Sequence, residues 1–182
     1  MLSLLLDRLP SPLGHLRIVV DRDGALRAID WDPDETRLRQ FLSKHNGTGG
    51  FTLEPASDPA GVTSALARYF DGDVRAIDRI PVAMAGTTFQ RRVWTALRGI
   101  PVGTTISYAE LANRIDQPSA VRAVGLANGA NPIPVVVPCH RVIGTNGKLV
   151  GYGGGLDRKR WLLAHEGCLT PSVPQLLSSS VP

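Results

Sequence analysis

A thiol and an imidazole stand side by side at Cys139 and His140, between Val135-Val136-Val137-Pro138 and Arg141-Val142. A free thiol has a pKa of about 8.5, so nucleophilic chemistry at neutral pH needs a base that takes its proton. His140 is the obvious base, acting directly or through a bridging water, because neighbouring side chains need not point the same way. A carboxylate on the other ring nitrogen would hold the imidazole in one tautomer. Glu166, at the end of the last expected helix, is one candidate. The setting is stiff. Three β-branched residues predict a short buried strand up to Val137. Pro138 then fixes one φ angle and removes one N–H donor, and the prolines of Asn131-Pro132-Ile133-Pro134 restrict the approach. The alternative for Cys139 is a buried structural thiol, and residue types alone leave both readings open.

The elements that must position this pair follow from patterning. Strands are expected at 2–6, 15–20 and 25–31, with Asp23-Gly24 as the hairpin turn. Asp34 is expected to cap a helix over 35–44 that faces inward with Leu38, Phe41 and Leu42. Residues 46–50 read as a loop, and a helix is expected over 59–70 with Val62, Leu66, Tyr69 and Phe70 on its apolar face. Residues 1–75 therefore form an N-terminal α+β domain without a catalytic constellation, since His15 and His45 each stand alone. Residues 76–88 read as a linker, 89–168 as a second domain, and 169–182, rich in Ser and Pro, as a disordered tail. Thr87 and Gln90 make a capping box for a helix ending near Arg98-Gly99, with Phe89, Val93 and Leu97 on one face. Ser107 and Glu110 make a second box, for a helix over 108–115. Gln117-Pro118 breaks it, and a third helix is expected over 119–128. Two helices across a short turn read either as a helix-turn-helix or as an αα-hairpin that only packs a core. The third helix is slim, with Ala120, Ala123, Gly125 and Ala127, and carries one long charge, Arg122. Glycine inside a helix costs roughly 1 kcal/mol against alanine, so close approach of another chain would explain it. Beyond the Cys-His pair, Ile143 to Lys148 reads as a hairpin connection. Gly151-Tyr152-Gly153-Gly154-Gly155 reads as backbone open to a flat ligand or as a surface loop. Asp157 is expected to cap a last helix over 158–165.

Composition narrows the classes. The 182 residues carry a net charge of +4, unevenly spread. Residues 1–88 hold ten Lys/Arg against twelve Asp/Glu, whereas 89–166 hold ten against four. A basic second half is either a phosphate-binding surface or a merely solvated face. The apolar start, Met1 to Leu6, is too short for a signal or a membrane span and reads as a strand. Two cysteines, Cys139 and Cys168, make no disulfide framework, so a reducing cytoplasm is the expected location. Neither the glycine run nor Gly144 to Lys148 fits a nucleotide-binding fingerprint. No metal cluster is expected, and no cofactor is called for.

Residues 87–167 resemble the alkylguanine-DNA alkyltransferases (methylated-DNA–protein-cysteine methyltransferases). The resemblance is carried by Pro138-Cys139-His140-Arg141-Val142, Asn131-Pro132-Ile133-Pro134, Ala120-Val121-Arg122-Ala123-Val124-Gly125, Ser107-Tyr108, the glycine run, and Trp161-Leu162-Leu163-Ala164-His165-Glu166-Gly167. Within the family, the chain looks most like the bacterial constitutive type. The resemblance implies an α+β protein, with an N-terminal ribonuclease H-like α/β domain and a mostly helical C-terminal domain with a helix-turn-helix. It implies irreversible, single-use transfer of the alkyl group from O6-methylguanine, and from O4-methylthymine, to Cys139. His140 would take the thiol proton through a water, Glu166 would orient His140, Asn131 would hold the turn, and Tyr108 would donate toward guanine N3. Arg122 would fill the gap left by the flipped base, with Ser119, Ala123, Ala127 and Asn128 on the DNA. Tyr152, Gly153, Gly154 and Val142 would line the base pocket.

The partner is then double-stranded DNA containing alkylated guanine, bound by a monomer with no membrane and no obligate protein partner. Gly153 stands where some relatives carry a hydroxyl residue, which implies a wider pocket. A non-catalytic module that binds alkylated DNA is the alternative, and a Cys-His-Glu hydrolase is a third reading. Cys168 reads as an incidental thiol.

Overall fold

A computed structural model describes residues 1–31, 35–45 and 50–168. Ten, eight and five residues form β1 (Leu2–Ser11), β2 (Gly14–Asp21) and β3 (Leu26–Asp30). Together with β4 (Phe51–Pro55) they make one sheet in the order β3-β2-β1-β4, antiparallel except for the β1–β4 pair. β4 was not among the expected strands, although Phe51 and Leu53 alternate with Thr52 and Glu54 as a half-buried strand should.

Alternation along β2 sends Val19 to one face and Ile18 and Val20 to the other. The first face takes α1 (Thr36–His45) through Leu38 and Leu42, with Leu4 and Ala28. The second face takes α2 (Val62–Phe70), entered by a 3-10 turn at Pro59–Gly61. Asp34, the loop over 46–49 and the tail from 169 on lie outside the described residues.

Residues 76–88, expected to be a linker, are packed along β3. The Leu26 N–H donates to the Pro81 carbonyl at 2.8 Å, the Ala83 N–H donates to the Leu26 carbonyl at 2.9 Å, and Ile77 and Ile80 are buried.

The second half is helical. α3 (Thr88–Arg98) starts with both halves of the expected capping box in place, Thr87 accepting from the Gln90 N–H and Gln90 accepting from the Thr87 N–H. Serine at 107 caps α4 (Tyr108–Arg114), but the Glu110 carboxylate turns to Arg114 rather than completing a box. A 3-10 turn at Pro118–Ala120 leads into α5 (Val121–Gly129), which packs against α3 and α4. α6 (Leu156–His165) starts two residues earlier than expected, so Asp157 lies inside its first turn and pairs with Arg160.

Two expectations are corrected. Val135 to Val137 form no strand. Asn131 Oδ1 accepts from the Ile133 N–H at 3.0 Å, and the Val137 N–H donates to the Ile133 carbonyl at 2.9 Å, so local turns take the bonds that a sheet would use. Val135 is fully buried there at φ 75°. Residues 143–148 make the expected turn, with the Gly147 N–H on the Gly144 carbonyl at 2.9 Å, but no described strand returns from it. The Gly144 N–H closes a turn onto Lys148, while β6 (Val142–Ile143) pairs in parallel with β5 (Ile106–Ser107). That short pair ties the start of α4 to the end of the Cys-His turn.

One buried cluster runs from the sheet to the helices, from Leu16 and Tyr69 through Trp94 and Val124 to Leu162. No described helix is long and apolar enough to cross a membrane. Trp94 sits at the centre of the cluster, fully buried, its indole N–H donating to the Ala127 carbonyl at 2.8 Å. Trp94→Ala is expected to cost about 3–5 kcal/mol, read as the shift of the urea unfolding midpoint.

Candidate active site

Pro138 sits at φ −81°, ψ 64°, the centre of an inverse γ-turn closed by the Cys139 N–H on the Val137 carbonyl at 2.8 Å. The next three residues, Cys139–Arg141, form one 3-10 turn whose side chains are all buried. Asn131 reaches over this turn, its amide Nδ2 donating to the Val137 carbonyl at 2.7 Å and to Cys139 Sγ at 3.0 Å. His140 Nε2 lies 3.1 Å from Glu166 Oε1, and its Nδ1 is buried with no partner among the described residues. The carboxylate acceptor fixes the Nε2–H tautomer and leaves Nδ1 free to accept. Cys139, His140, Glu166 and Asn131 are therefore brought together as expected.

Sulfur opens onto a cavity of about 190 Å³. Its near wall is Asn128, Asn131, Pro134, Tyr152, Gly153 and Gly154, and its far wall is Trp31, Leu38 and Phe41 from the N-terminal half. Gly154 is required by packing, because a Cβ there would come within 2.8 Å of the Tyr152 ring and 3.3 Å of Trp31. Val142, expected in the pocket, does not line this cavity. It is fully buried in β6, with its carbonyl turned to Lys159. Tyr108 opens α4 with its hydroxyl donating to the Val150 carbonyl at 3.2 Å.

On α5 the expected DNA contacts divide. Arg122, Ala123 and, just before the helix, Ser119 are exposed, beside Val121 and a Leu126 that is 73% exposed. Ala127 and Asn128 are corrected, because both face inward. Ala127 accepts from Trp94, and Asn128 donates to the Cys139 carbonyl at 3.3 Å. The i, i+3, i+4 spacing of Val124, Ala127 and Asn128 carried that signal. Among the described residues no group of three or more His, Cys, Asp or Glu could hold a metal ion.

Residues 88–168 match the family described as 6-O-methylguanine DNA methyltransferase, DNA binding domain. The chain is 50% identical over 169 residues to the methylated-DNA–protein-cysteine methyltransferase of Salmonella typhimurium, a match spanning 93% of this chain and 99% of that one. It is 53% identical over 158 residues to the protein of that name from Mycobacterium tuberculosis, spanning 87% and 95%. The chain belongs to the methylated-DNA–protein-cysteine methyltransferase family. Its fold is similar to the crystal structure of the M. tuberculosis O6-methylguanine methyltransferase, with a TM-score of 0.72 at 38% identity over 95% of this chain and 97% of that one. It is also similar to the structure of M. tuberculosis OGT in complex with DNA, with a TM-score of 0.68 at 37% identity over 93% and 96%.

Electrostatics in this methyltransferase-family site are governed by burial. It pushes the Cys139 thiol up to about 11, against the pull of the Asn131 amide, the Lys159 ammonium and the backbone amides of Cys139 and His140. Burial first, helped by the Arg141 and Lys159 charges, lowers His140 against the pull of Glu166. Burial alone would raise Glu166, but hydrogen bonds from Arg141 and His140 outweigh it and hold the carboxyl well below the usual carboxylate range. Tyr108 and Tyr152 are both raised, first by burial and then by Cys139, and so stay neutral, with the Tyr152 hydroxyl buried and unpartnered among the described residues.

Three partners were missed in the sequence. Arg141 forks onto Glu166, Nε to Oε2 at 2.7 Å and Nη2 to Oε1 at 2.8 Å, and Nη1 donates to the Ile100 carbonyl at 2.6 Å. Lys159 is fully buried and donates to the Val142, Val150 and Gly151 carbonyls at 2.6, 2.9 and 3.3 Å. Burial lowers it to about 8. Tyr69, 97 residues from Glu166 in the chain, donates to its Oε1 at 2.8 Å. Only Arg141 had a local signal, as the third residue of the Cys-His-Arg run.

Glu166 ionises in the folded chain far below the unfolded value of about 4.3, so its stabilisation is complete above that pH and is lost as pH falls below it. His140 is lowered from its unfolded value, so it too destabilises the fold only on the acid side, below about 6.5. Glu166→Gln strips the buried Arg141 of its partner and is expected to cost about 3–5 kcal/mol at neutral pH. The gap to the parent should narrow by roughly 1–2 kcal/mol near pH ~3. Urea midpoints across this range check the expectation, and an equal gap at both ends contradicts it.

Proposed function

We propose that the chain repairs alkylated DNA by moving the O6-alkyl group of guanine onto the sulfur of Cys139. The observation that carries this is a thiol held by Asn131 at the mouth of a cavity, with a carboxylate-oriented imidazole behind it. The target oxygen is paired inside a duplex, so the nucleotide must be turned out of the stack, at a cost of a few kcal/mol that a damaged pair reduces. The helix pair α4 and α5 serves as a helix-turn-helix, with the exposed Arg122 entering the duplex and Ala123 and Ser119 beside it. The sheet and its two helices serve as the ribonuclease H-like half. Basic residues of the second half hold phosphates without reading sequence.

In the reaction the Cys139 proton passes through a water to His140 Nδ1, the buried and unpartnered ring nitrogen. Glu166 holds the opposite nitrogen. The thiolate attacks the alkyl carbon in line, the C–S bond forms, the C–O6 bond breaks, and its electron pair returns to the guanine, whose N1 takes up a proton from solvent as the imidazolium gives one back. Tyr108, a neutral phenol, gives its hydroxyl hydrogen bond to N3 as charge builds there. A thioether is not readily hydrolysed, so each molecule acts once. O4-methylthymine carries the same methyl group on a smaller base and fits the same chemistry. The chain acts as a monomer in the cytoplasm, with no cofactor.

Mixing the protein with a duplex that carries one O6-methylguanine is expected to add one methyl to Cys139, seen by intact mass and peptide mapping, and to stop at one equivalent. Cys139→Ala should lose transfer and keep DNA binding. Continued turnover without an alkylated cysteine would instead mean a hydrolase. With Gly153 bare, transfer from an O6-benzylguanine duplex is expected as well, and its absence would sink the wide-pocket reading.

A further inference from the structure

Among the buried polar groups of the N-terminal half that the proposed chemistry leaves unused, the hydroxyl of Tyr69 is the one that reaches the active-site carboxylate. This residue is fully buried near the end of α2. Its O–H donates to Glu166 Oε1 at 2.8 Å, on the oxygen that also meets His140 Nε2 at 3.1 Å and Arg141 Nη2 at 2.8 Å. The other oxygen, Oε2, takes Arg141 Nε at 2.7 Å. Tyr69 is itself immobilised. Its backbone carbonyl accepts from His165 Nε2 at 2.6 Å, and its ring stands edge-on to Phe70 and His165, with centroids 5.3 and 5.1 Å away. The fork from Arg141 already fixes the carboxylate in place. A second neutral donor on Oε1 therefore adds little orientation, but it competes directly with the imidazole for the same lone pairs.

We infer that Tyr69 is a positioning residue of the transfer reaction, a hydroxyl delivered from the N-terminal half onto Glu166 that limits how strongly this carboxylate can hold a proton on His140. The inference rests on the reading of His140 as the base. A donor on Oε1 draws electron density away from the imidazole, so an imidazolium at Nε2 gains less from Glu166. The other charged and titratable groups around the pair are Cys139 and Arg141 from the Cys-His turn, Tyr152 ahead of α6, Lys159 and His165 on α6, and Cys168 just beyond it. Of the donors on Glu166 besides His140 itself, Tyr69 is the one whose polar atom can be deleted without changing a formal charge.

Tyr69→Phe keeps the ring and removes the hydroxyl. The parent and variant full-length proteins are compared in two ways: NMR titration of the histidine rings, with His140 assigned by the resonance missing in His140→Gln, and single-turnover methyl transfer from an O6-methylguanine duplex at a series of pH values. The His140 midpoint should rise by about 0.5–1 unit in the variant, with a plateau rate ~3- to 10-fold higher above it. Below both midpoints the two proteins should react alike, because the stronger base is offset by the smaller fraction that is free to accept. Difluorotyrosine placed at position 69, a stronger donor of similar shape, should move the midpoint the other way, and it provides the test if the phenylalanine variant does not fold. An unmoved His140 midpoint in a folded variant overturns the role of Tyr69 whatever stability is lost. A moved midpoint with an unmoved rate profile overturns both this role and that of His140 as base. A parent rate that His140→Gln leaves unchanged overturns the His140 reading by itself.

Discussion

An ionised carboxyl taken out of water is unstable unless donors replace the water it loses. Glu166 is buried, and four bonds converge on it: two from Arg141, one from Tyr69 and one from His140. Each comes from a segment that must be in place first. The 3-10 turn brings His140 and Arg141, α2 brings Tyr69, and α6 ends at the carboxylate itself. Losing Arg141 would leave the carboxylate charge uncompensated in a low-dielectric interior, so the tertiary fold and the charge of the site depend on each other, whereas the neutral donors tune that charge.

The sulfur obeys the opposite logic. Nothing of full charge touches it, its contact is a neutral amide, and burial keeps it a thiol up to about 11. At neutral pH only about one molecule in ten thousand would carry a free thiolate. The resting nucleophile is thereby shielded from stray electrophiles. Reactivity has to come from proton movement at the moment an alkyl carbon occupies the cavity.

The reactive run was legible because its chemistry is contiguous: Pro138, Cys139, His140 and Arg141 are neighbours, and a single rigid turn presents them together. Two capping residues also read true, Thr87 in full and Ser107 in part, because a cap is a local bond, whereas Asp157 lies inside α6 and Gly155 takes the cap position. Legibility failed where a non-local or competing bond decided. Val135 to Val137 have strand-forming side chains, but Asn131 and two prolines spend their hydrogen bonds on turns, and Val135 is forced to a positive φ. Tyr69 looked like one more apolar helix position, and only the fold shows its hydroxyl reaching Glu166. Ala127 and Asn128 were misplaced because composition was read without helical phase. The far wall at Trp31 comes from a strand end that carries no reactive residue at all.

The shared core also bears on how the chain can be divided. The Ile29 N–H donates to the Pro132 carbonyl at 2.9 Å, and Arg158 donates to the Leu13 carbonyl at 2.9 Å while lying over the Trp31 ring. Tyr69 crosses the same seam to Glu166. A cut anywhere between α2 and α3 would run through all of these bonds and would split the substrate cavity, leaving Trp31 on one fragment and Cys139 on the other. The half that carries the nucleophile is thus not a detachable cassette. A gene encoding α3 to α6 alone would have to replace a wall and a hydroxyl before its cysteine sat in an equivalent site.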